Sequence, residues 1–315
     1  MQSQLLCWGA DCHKEPVVLA LDGETEVTTL QNRVKVLKRW LASLSGPVAI
    51  AMESSGRYHV MLANLAHKLG HAVFVLDPKR VRRYAQSTAF RGKTDRIDAC
   101  VIARFLAREQ DGLRRYVPPT PEQRRIDSLL RRRHKLDVIR QQLADVAKLL
   151  HGNRAEMRRV REQLKVLIQA IDRSLKALIT RDHALAERYQ RLCRVPGIGP
   201  LNGTALANLF HRIDFQAADP VVAFVGLDPR PHDSGQHRGK RRLTKHGHPE
   251  YRRLLHNAAM SARKTPLWKP YYERSIARGL ASTEALVDLA RRILRTAWAL
   301  DHHQREFDPG RLRVA

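Results

Sequence analysis

Three prolines in four residues, Pro118-Pro119-Thr120-Pro121, divide this chain into two parts that must fold separately. Proline has no backbone N–H and a locked φ, so the run can neither continue a helix nor enter a sheet interior. A domain boundary is expected there. The 315 residues leave room for two or three hydrophobic cores.

Before the prolines the hydrophobic pattern alternates between strand and helix periods. It predicts strands over 5–12, 16–21 and 26–30, a helix over 33–43, a strand over 48–52, a helix over 58–69 and a strand over 72–76. Three leading strands followed by strand–helix units indicate an α/β domain with a mixed sheet. Beyond the prolines the pattern becomes heptad-like. Leu129, Leu136, Leu143 and Leu150 repeat every seven residues, with Ile139 and Val146 between them; after His151-Gly152-Asn153 the repeat resumes as Met157, Leu164, Ile171 and Leu178, with Val160 and Leu167. Two heptad helices joined by a short turn predict an antiparallel coiled-coil hairpin able to zip to a second copy. The expected division is therefore 1–117, 118–188 and 189–315, the last part helical, with helices over 251–263, 268–277 and 282–301 and Ser282 or Thr283 as the final cap.

Acids are placed at the ends of these elements. Asp11 follows the apolar run from Leu5 to Ala10, and Glu53 ends the run Val48-Ala49-Ile50-Ala51-Met52. An acid at the end of a buried strand is poorly solvated and needs a partner. Thr94 is a ready N-cap for a helix that begins with Asp95 and Asp98, which share a face three residues apart. Two unit charges about 4 Å apart repel by roughly 4 kcal/mol at an effective dielectric near 20. A single such pair is explained by the helix dipole. Four carboxylates gathered on one sheet edge call instead for a divalent cation, and hard oxygen donors favour Mg²⁺ over zinc. Gly92-Lys93-Thr94 matches the end of a P-loop, but Ser87 stands where that motif has glycine and no strand leads into it.

The rest of the chain is basic: 57 Lys and Arg face 31 acids, a net charge of +26 with a pI near 10.8. Such a balance is characteristic of a polyanion binder, and aromatics at 6% disfavour base stacking on open platforms as the binding mode. Candidate phosphate contacts are Lys79, Arg80, Arg82, Arg83 and Lys93 ahead of the acid pair, and Arg131, Arg132 and Arg133 at the start of the heptads, although charge runs are commonly solvated faces. Val195-Pro196-Gly197-Ile198-Gly199-Pro200 reads as the turn of a helix-hairpin-helix, with Gly197 and Gly199 offering amides to a phosphate, or as an ordinary tight turn. A glycine-rich basic loop follows, in which Ser234-Gly235 is surrounded by Arg238, Lys240, Arg241, Arg242 and Lys245, with Arg252 and Arg253 beyond it. A serine before glycine is usually a turn residue; among cations it can be a nucleophile. His232, His237, His246 and His248 lack zinc spacing. Cys7, Cys12, Cys100 and Cys193 form no Cys-x-x-Cys pair and read as reduced core or near-core residues. With no apolar run near the roughly 20 residues of a membrane span and no signal-peptide pattern, a cytoplasmic, nucleoid-associated protein without membrane contact is expected.

In family order the chain carries Gly9-Ala10-Asp11, Glu53-Ser54-Ser55-Gly56-Arg57-Tyr58, Lys93-Thr94-Asp95-Arg96-Ile97-Asp98-Ala99, Pro196-Gly197-Ile198-Gly199, Gly226-Leu227-Asp228-Pro229-Arg230, Ser234-Gly235, and Lys245-His246-Gly247 leading to Arg252-Arg253-Leu254-Leu255. Together these motifs resemble the DEDD-type transposases of the insertion-sequence family numbered 110 and its 1111 subgroup, relatives of the Piv invertases. The resemblance implies a RuvC-like RNase H fold for the first domain and a Mg²⁺ tetrad of Asp11, Glu53, Asp95 and Asp98. It further implies that Ser234 forms a phosphoserine link to DNA, that a noncoding bridge RNA pairs with donor and target DNA, and that the protein works as a dimer of dimers. Two departures stand out: Leu76-Asp77-Pro78 replaces the usual Asn-Pro, and Tyr251 replaces the Leu before the paired arginines. Two other readings compete, a metal-dependent Holliday-junction-resolving nuclease that uses water and a non-enzymatic basic DNA- or RNA-binding protein.

Overall fold

The computed structural model describes residues 5–54, 56–88, 92, 94–149, 153–230, 233–234, 237–238, 242–244, 247 and 249–311, with backbone alone at 148–149, 230, 233–234, 237–238, 242 and 311. The chain forms two compact units, Met1–Pro118 and Pro119–Ala315.

The first unit is built on a five-stranded mixed sheet in the order β3-β2-β1-β4-β5. Its strands are β1 (Cys7–Cys12), β2 (Val17–Leu21), β3 (Val27–Leu30), β4 (Ala49–Glu53) and β5 (Ala72–Leu76). β1 runs antiparallel to β2 and parallel to β4, with Gly9 opposite Ala20 on one side and Ala51 on the other. Because successive side chains alternate across a strand, each strand splits its residues between two faces. Ala10, Cys12, Ile50, Met52 and Val73 pack under α1 (Val34–Ala42) and α2 (His59–Lys68). Cys7, Ala49, Ala51, Phe74 and Leu76 pack under α3 (Pro78–Ser87) and α4 (Asp95–Glu109). Burial on both faces explains why these strands read as nearly continuous apolar runs. Asp11 and Glu53 have the parity of the second group, so both face the α4 side.

Among its described residues the second unit has four two-residue strands and is otherwise mainly helical. Thr120 starts α5 (Pro121–Leu149) with a reciprocal cap: its amide donates to Gln123 Oε1 at 2.9 Å while its hydroxyl accepts from the Gln123 amide at 3.2 Å. α6 (Arg154–Arg181) packs back along α5, and Arg133 fastens the two by donating to Asp172 at 2.6 Å. The turn at His151-Gly152 lies outside the described residues. α7 (His183–Cys193) and α8 (Pro200–Arg212) then form a tight helical pair around Gly203, where an added Cβ would meet Cys193 Sγ at 2.4 Å. α9 (Ala218–Val225) ends at Gly226, whose φ of 71° is the usual left-handed stop.

The basic segment after α9 differs from the expected open loop. Its described backbone forms two antiparallel ladders, β6 (Pro229–Arg230) with β9 (Arg242–Leu243) and β7 (Asp233–Ser234) with β8 (His237–Arg238). α10 (Pro249–Ala262), α11 (Lys269–Ala277) and α12 (Ser282–His302) complete the unit. The cap of α12 also differs: Ala281 is the N-cap, its amide donating to Glu284 Oε2 at 3.0 Å, whereas the Ser282 hydroxyl sits 2.9 Å from Tyr272 Oη. Among the described residues no helix is long and apolar enough to cross a membrane.

Candidate active site

Gly9 determines how close α4 can come to the sheet. A Cβ built there would lie 2.1 Å from the Ala99 carbonyl oxygen and 2.3 Å from the Ala103 amide nitrogen, distances no side chain tolerates. With hydrogen at that position and alanines facing it, the helix lies directly on β1. Its first turn is set by Thr94, which accepts from the Ile97 amide at 3.2 Å, so Asp95 and Asp98 enter in the first turn as the sequence requires.

Asp11 sits two residues beyond Gly9 on the same face and is only 7% exposed. The register that pairs Ala10 with Met52 brings Glu53, the last residue of β4, alongside it at the strand ends. Burial raises the Asp11 pKa above the ordinary carboxylate value; His13 pulls it down, and the charges of Asp98 and Asp95 push it up again. Asp11 is thus acidic, nearly dry and within the field of the two α4 acids.

His13 links the parts. Its Nε2 lies 3.0 Å from Asp11 Oδ2 and 3.4 Å from Asp95 Oδ1. Burial alone would lower the imidazole pKa, but Asp11 and then Asp95 more than offset it, and the value lies above the usual one. The backbone of His13 is fixed by its amide donating to the Pro16 carbonyl at 3.1 Å and by Asn32 Nδ2 donating to its carbonyl at 2.8 Å. One donor atom each from Asp11, His13 and Asp95 falls within 4.8 Å of the other two. Carboxylate oxygens so spaced, one of them buried and reluctant to ionise unaided, suit a divalent cation. Sequence reading passed over His13; the visible signal was its i+2 spacing from Asp11, which keeps both on one face of an extended chain.

The basic residues sort differently from their sequence grouping. Lys79, Arg80, Arg82 and Arg83 are exposed on α3, with the Arg80 guanidinium 5.4 Å from the Phe105 ring centroid. Asp77 caps that helix, accepting from the Lys79 amide at 2.7 Å. Arg131 and Arg132 are exposed on α5. Arg133 is engaged by Asp137 and Asp172, Arg252 donates to the carbonyls of Val225 at 3.1 Å and Gly247 at 2.9 Å, and Arg253 is held by Glu250. These three guanidiniums hold the protein to itself. Gly197, at a φ of 97°, stands where a Cβ would meet Ala262 Cβ at 2.6 Å, so it lets the α7–α8 turn approach α10; Gly199 is the N-cap of α8. Tyr251 is buried, its ring 6.3 Å from that of Phe224. Ser234 is described by its backbone alone, paired with His237. Lys93, Lys240, Arg241 and Lys245 lie outside the described residues, and Arg238 and Arg242 are described by backbone alone.

Residues 9–152, which carry all four acids, match a family profile for DEDD-type IS110 transposases, and residues 189–273 match one described as transposase, IS116/IS110/IS902 family. The pilin gene-inverting protein of Moraxella bovis is 27% identical over 268 residues, covering 82% of this chain and 81% of that protein. A probable family 20 transposase of Pseudomonas aeruginosa is 27% identical over 306 residues, covering 84% and 87%. The transposase for insertion sequence element IS1111A of Coxiella burnetii is 28% identical over 282 residues, covering 77% and 74%. With profiles matching on both sides of the proline break and a buried acid site on the first, the chain belongs to the IS110/IS1111 family of insertion-sequence transposases.

Proposed function

We propose that this transposase cuts and rejoins donor and target DNA through a two-part chemistry, with a RuvC-like Mg²⁺ site of Asp11, Glu53, Asp95 and Asp98 in the first unit and Ser234 as nucleophile in the second. The observation that carries the reading is Asp11 itself. It is a carboxylate 7% exposed, raised in pKa, and joined through one imidazole to a second acid on a different element. Among the described residues the ion pair of Asp11 is with His13, an imidazole able to share it with a cation, and not with an arginine. Bound there, Mg²⁺ would polarise the scissile phosphate. The Ser234 oxygen attacks phosphorus, a P–O bond to serine forms, the P–O bond to one strand end breaks, and that end leaves as a hydroxyl. A hydroxyl from another strand end reverses the step, so bond energy is kept in the ester and strands are exchanged without hydrolysis.

The partners in this reading are donor and target DNA and a noncoding bridge RNA that pairs with both, which leaves sequence choice to base pairing. The exposed cations of α3 and α5 supply salt-dependent phosphate contact. Assembly as a dimer and, in synapsis, a tetramer is supported by the hairpin, where Ile139, Val146, Val160 and Leu167 are 44–53% exposed at heptad spacing.

The test is a denaturing-gel assay for protein covalently attached to labelled element-end DNA, with Mg²⁺ and RNA transcribed from the element, comparing wild type with Ser234→Ala and Asp11→Asn. An adduct in wild type alone is expected. Cleavage without an adduct in wild type, or an adduct in Ser234→Ala, would overturn the serine assignment in favour of a hydrolytic nuclease.

A further inference from the structure

His13 does more than accompany the tetrad. It holds two of the acids at once, its backbone is pinned by two hydrogen bonds, and it directly follows the strand that bears Asp11. Resting on the metal-site reading above, we propose that His13 Nε2 is itself a metal ligand, which makes this a mixed nitrogen–oxygen site that takes Mn²⁺ in preference to Mg²⁺.

The geometry is that of a ligand set. An octahedral ion with bonds of about 2.1 Å places neighbouring donors about 3 Å apart. Nε2 lies 3.0 Å from Asp11 Oδ2 and 3.4 Å from Asp95 Oδ1, so two of the three edges are near the spacing of neighbouring octahedral donors, and one donor atom from each residue falls within 4.8 Å of the other two. An imidazole that merely accompanied the acids would need only one of them. Ligation uses the Nε2 lone pair, so the ring binds in its neutral form. A neutral nitrogen donor adds no charge to cancel that of the cation; what it changes is selectivity. Mg²⁺ is served by carboxylate, carbonyl and water, whereas imidazole raises affinity along the series of first-row transition ions. The histidine is also anchored through its backbone, because Asn32 Nδ2 donates to the His13 carbonyl at 2.8 Å and to the Tyr58 carbonyl at 3.2 Å, tying it to the start of α2.

The decisive measurement is Mn²⁺ binding followed by electron spin echo spectroscopy on the full-length protein, which reads nitrogen bound to the metal and requires no turnover. Wild type is expected to show imidazole nitrogen modulation on bound Mn²⁺. Growth on nitrogen-15 histidine should change the modulation pattern, and His13→Ala should abolish it and lower Mn²⁺ affinity about tenfold with a smaller effect on Mg²⁺. The side chain of His13 is 46% exposed, so its removal leaves the core intact. Bound Mn²⁺ without nitrogen modulation, or modulation that survives His13→Ala, would overturn the ligand assignment while leaving the acid site standing. Mn²⁺ binding indifferent to Asp11→Asn would overturn the acid site and, with it, this inference.

Discussion

Replacing Gly9 by alanine tests the contact that brings the acids together. The added methyl would start 2.1 Å from the Ala99 carbonyl oxygen and 2.9 Å from Ala103 Cα, with backbone and not a flexible side chain on the other side. Restoring an ordinary separation of about 3.4 Å requires α4 to retreat by roughly 1.3 Å. Overpacking of a well-filled core costs about 1–3 kcal/mol, and a clash with helix backbone belongs at the upper end. At about 4 °C per kcal/mol for a unit of this size, the first unit should melt roughly 10 °C lower. The same retreat carries Asp95 away from Asp11 and His13, and a misplacement of about 1 Å can lower a reaction rate a hundredfold. The assay is a thermal melt of wild type, Gly9→Ala and Gly112→Ala, each with and without saturating Mn²⁺. Gly112 is a fair control, because a Cβ there meets nothing within 4 Å and its φ is ordinary. A folded wild-type site should gain about 2.7 kcal/mol from metal at a hundred times its dissociation constant, a gain that Gly9→Ala should largely forfeit. If Gly9→Ala melted within about 2 °C of wild type and kept the full metal-induced rise, the reasoning from close helix approach would be wrong.

Two further outcomes are expected. His71 is 8% exposed, its Nδ1 accepting from the Val48 amide at 3.3 Å, and burial holds its pKa below the ordinary imidazole value. The unfolded chain therefore binds the proton more readily, and stability should fall as pH drops below about 6.5, where the unfolded histidine begins to charge; denaturant midpoints at about pH 7.5 and about pH 5.5 should differ less in His71→Asn, whose carbonyl can still accept from Val48, and parallel losses in the two proteins would contradict this. On the hairpin, Leu167→Glu places a charge in the exposed heptad stripe and should shift the sedimentation coefficient toward the monomer without lowering the melting temperature by more than about 1 °C; an unchanged mass would refute assembly through that stripe.

The parts of the site that were legible in the sequence depend on near neighbours. Strand period and apolar runs fix the parity that aims Asp11 and Glu53 at one face, and the N-cap at Thr94 places Asp95 and Asp98 in one helical turn. The cap of α12 lies at Ala281, ahead of both expected hydroxyls Ser282 and Thr283, because Glu284 reaches back to the Ala281 amide, a half-box that a search for a capping hydroxyl overlooks. Arg133 and Arg252 read as free cations although each has one near partner, Asp137 four residues and Gly247 five residues away; their other partners are remote, with Asp172 39 residues from Arg133 and the Val225 carbonyl 27 residues from Arg252. Gly9 was legible as a motif residue, yet its physical role depends on a helix that begins 86 positions later, which no local pattern encodes.

The same chain neutralises acids in two ways, and the contrast bears on what each acid is for. Asp172 and Asp137 are taken by Arg133, Asp301 by Arg188 and Arg191, and Asp288 by Arg278 and Arg291. In each case a guanidinium, permanently charged and without a lone pair, closes the site for good. The ion pairs described for Asp11 and Asp95 come instead from His13. An imidazole can stand in for a cation while the site is metal-free and then turn a lone pair to the metal when one arrives, which no arginine can do. In a protein with 57 Lys and Arg, arginine is the residue most readily at hand to neutralise an acid. Among the described ion pairs of Asp11 and Asp95 that place is taken by an imidazole, so on the proposed metal reading the pairing can give way to shared ligation of a divalent ion.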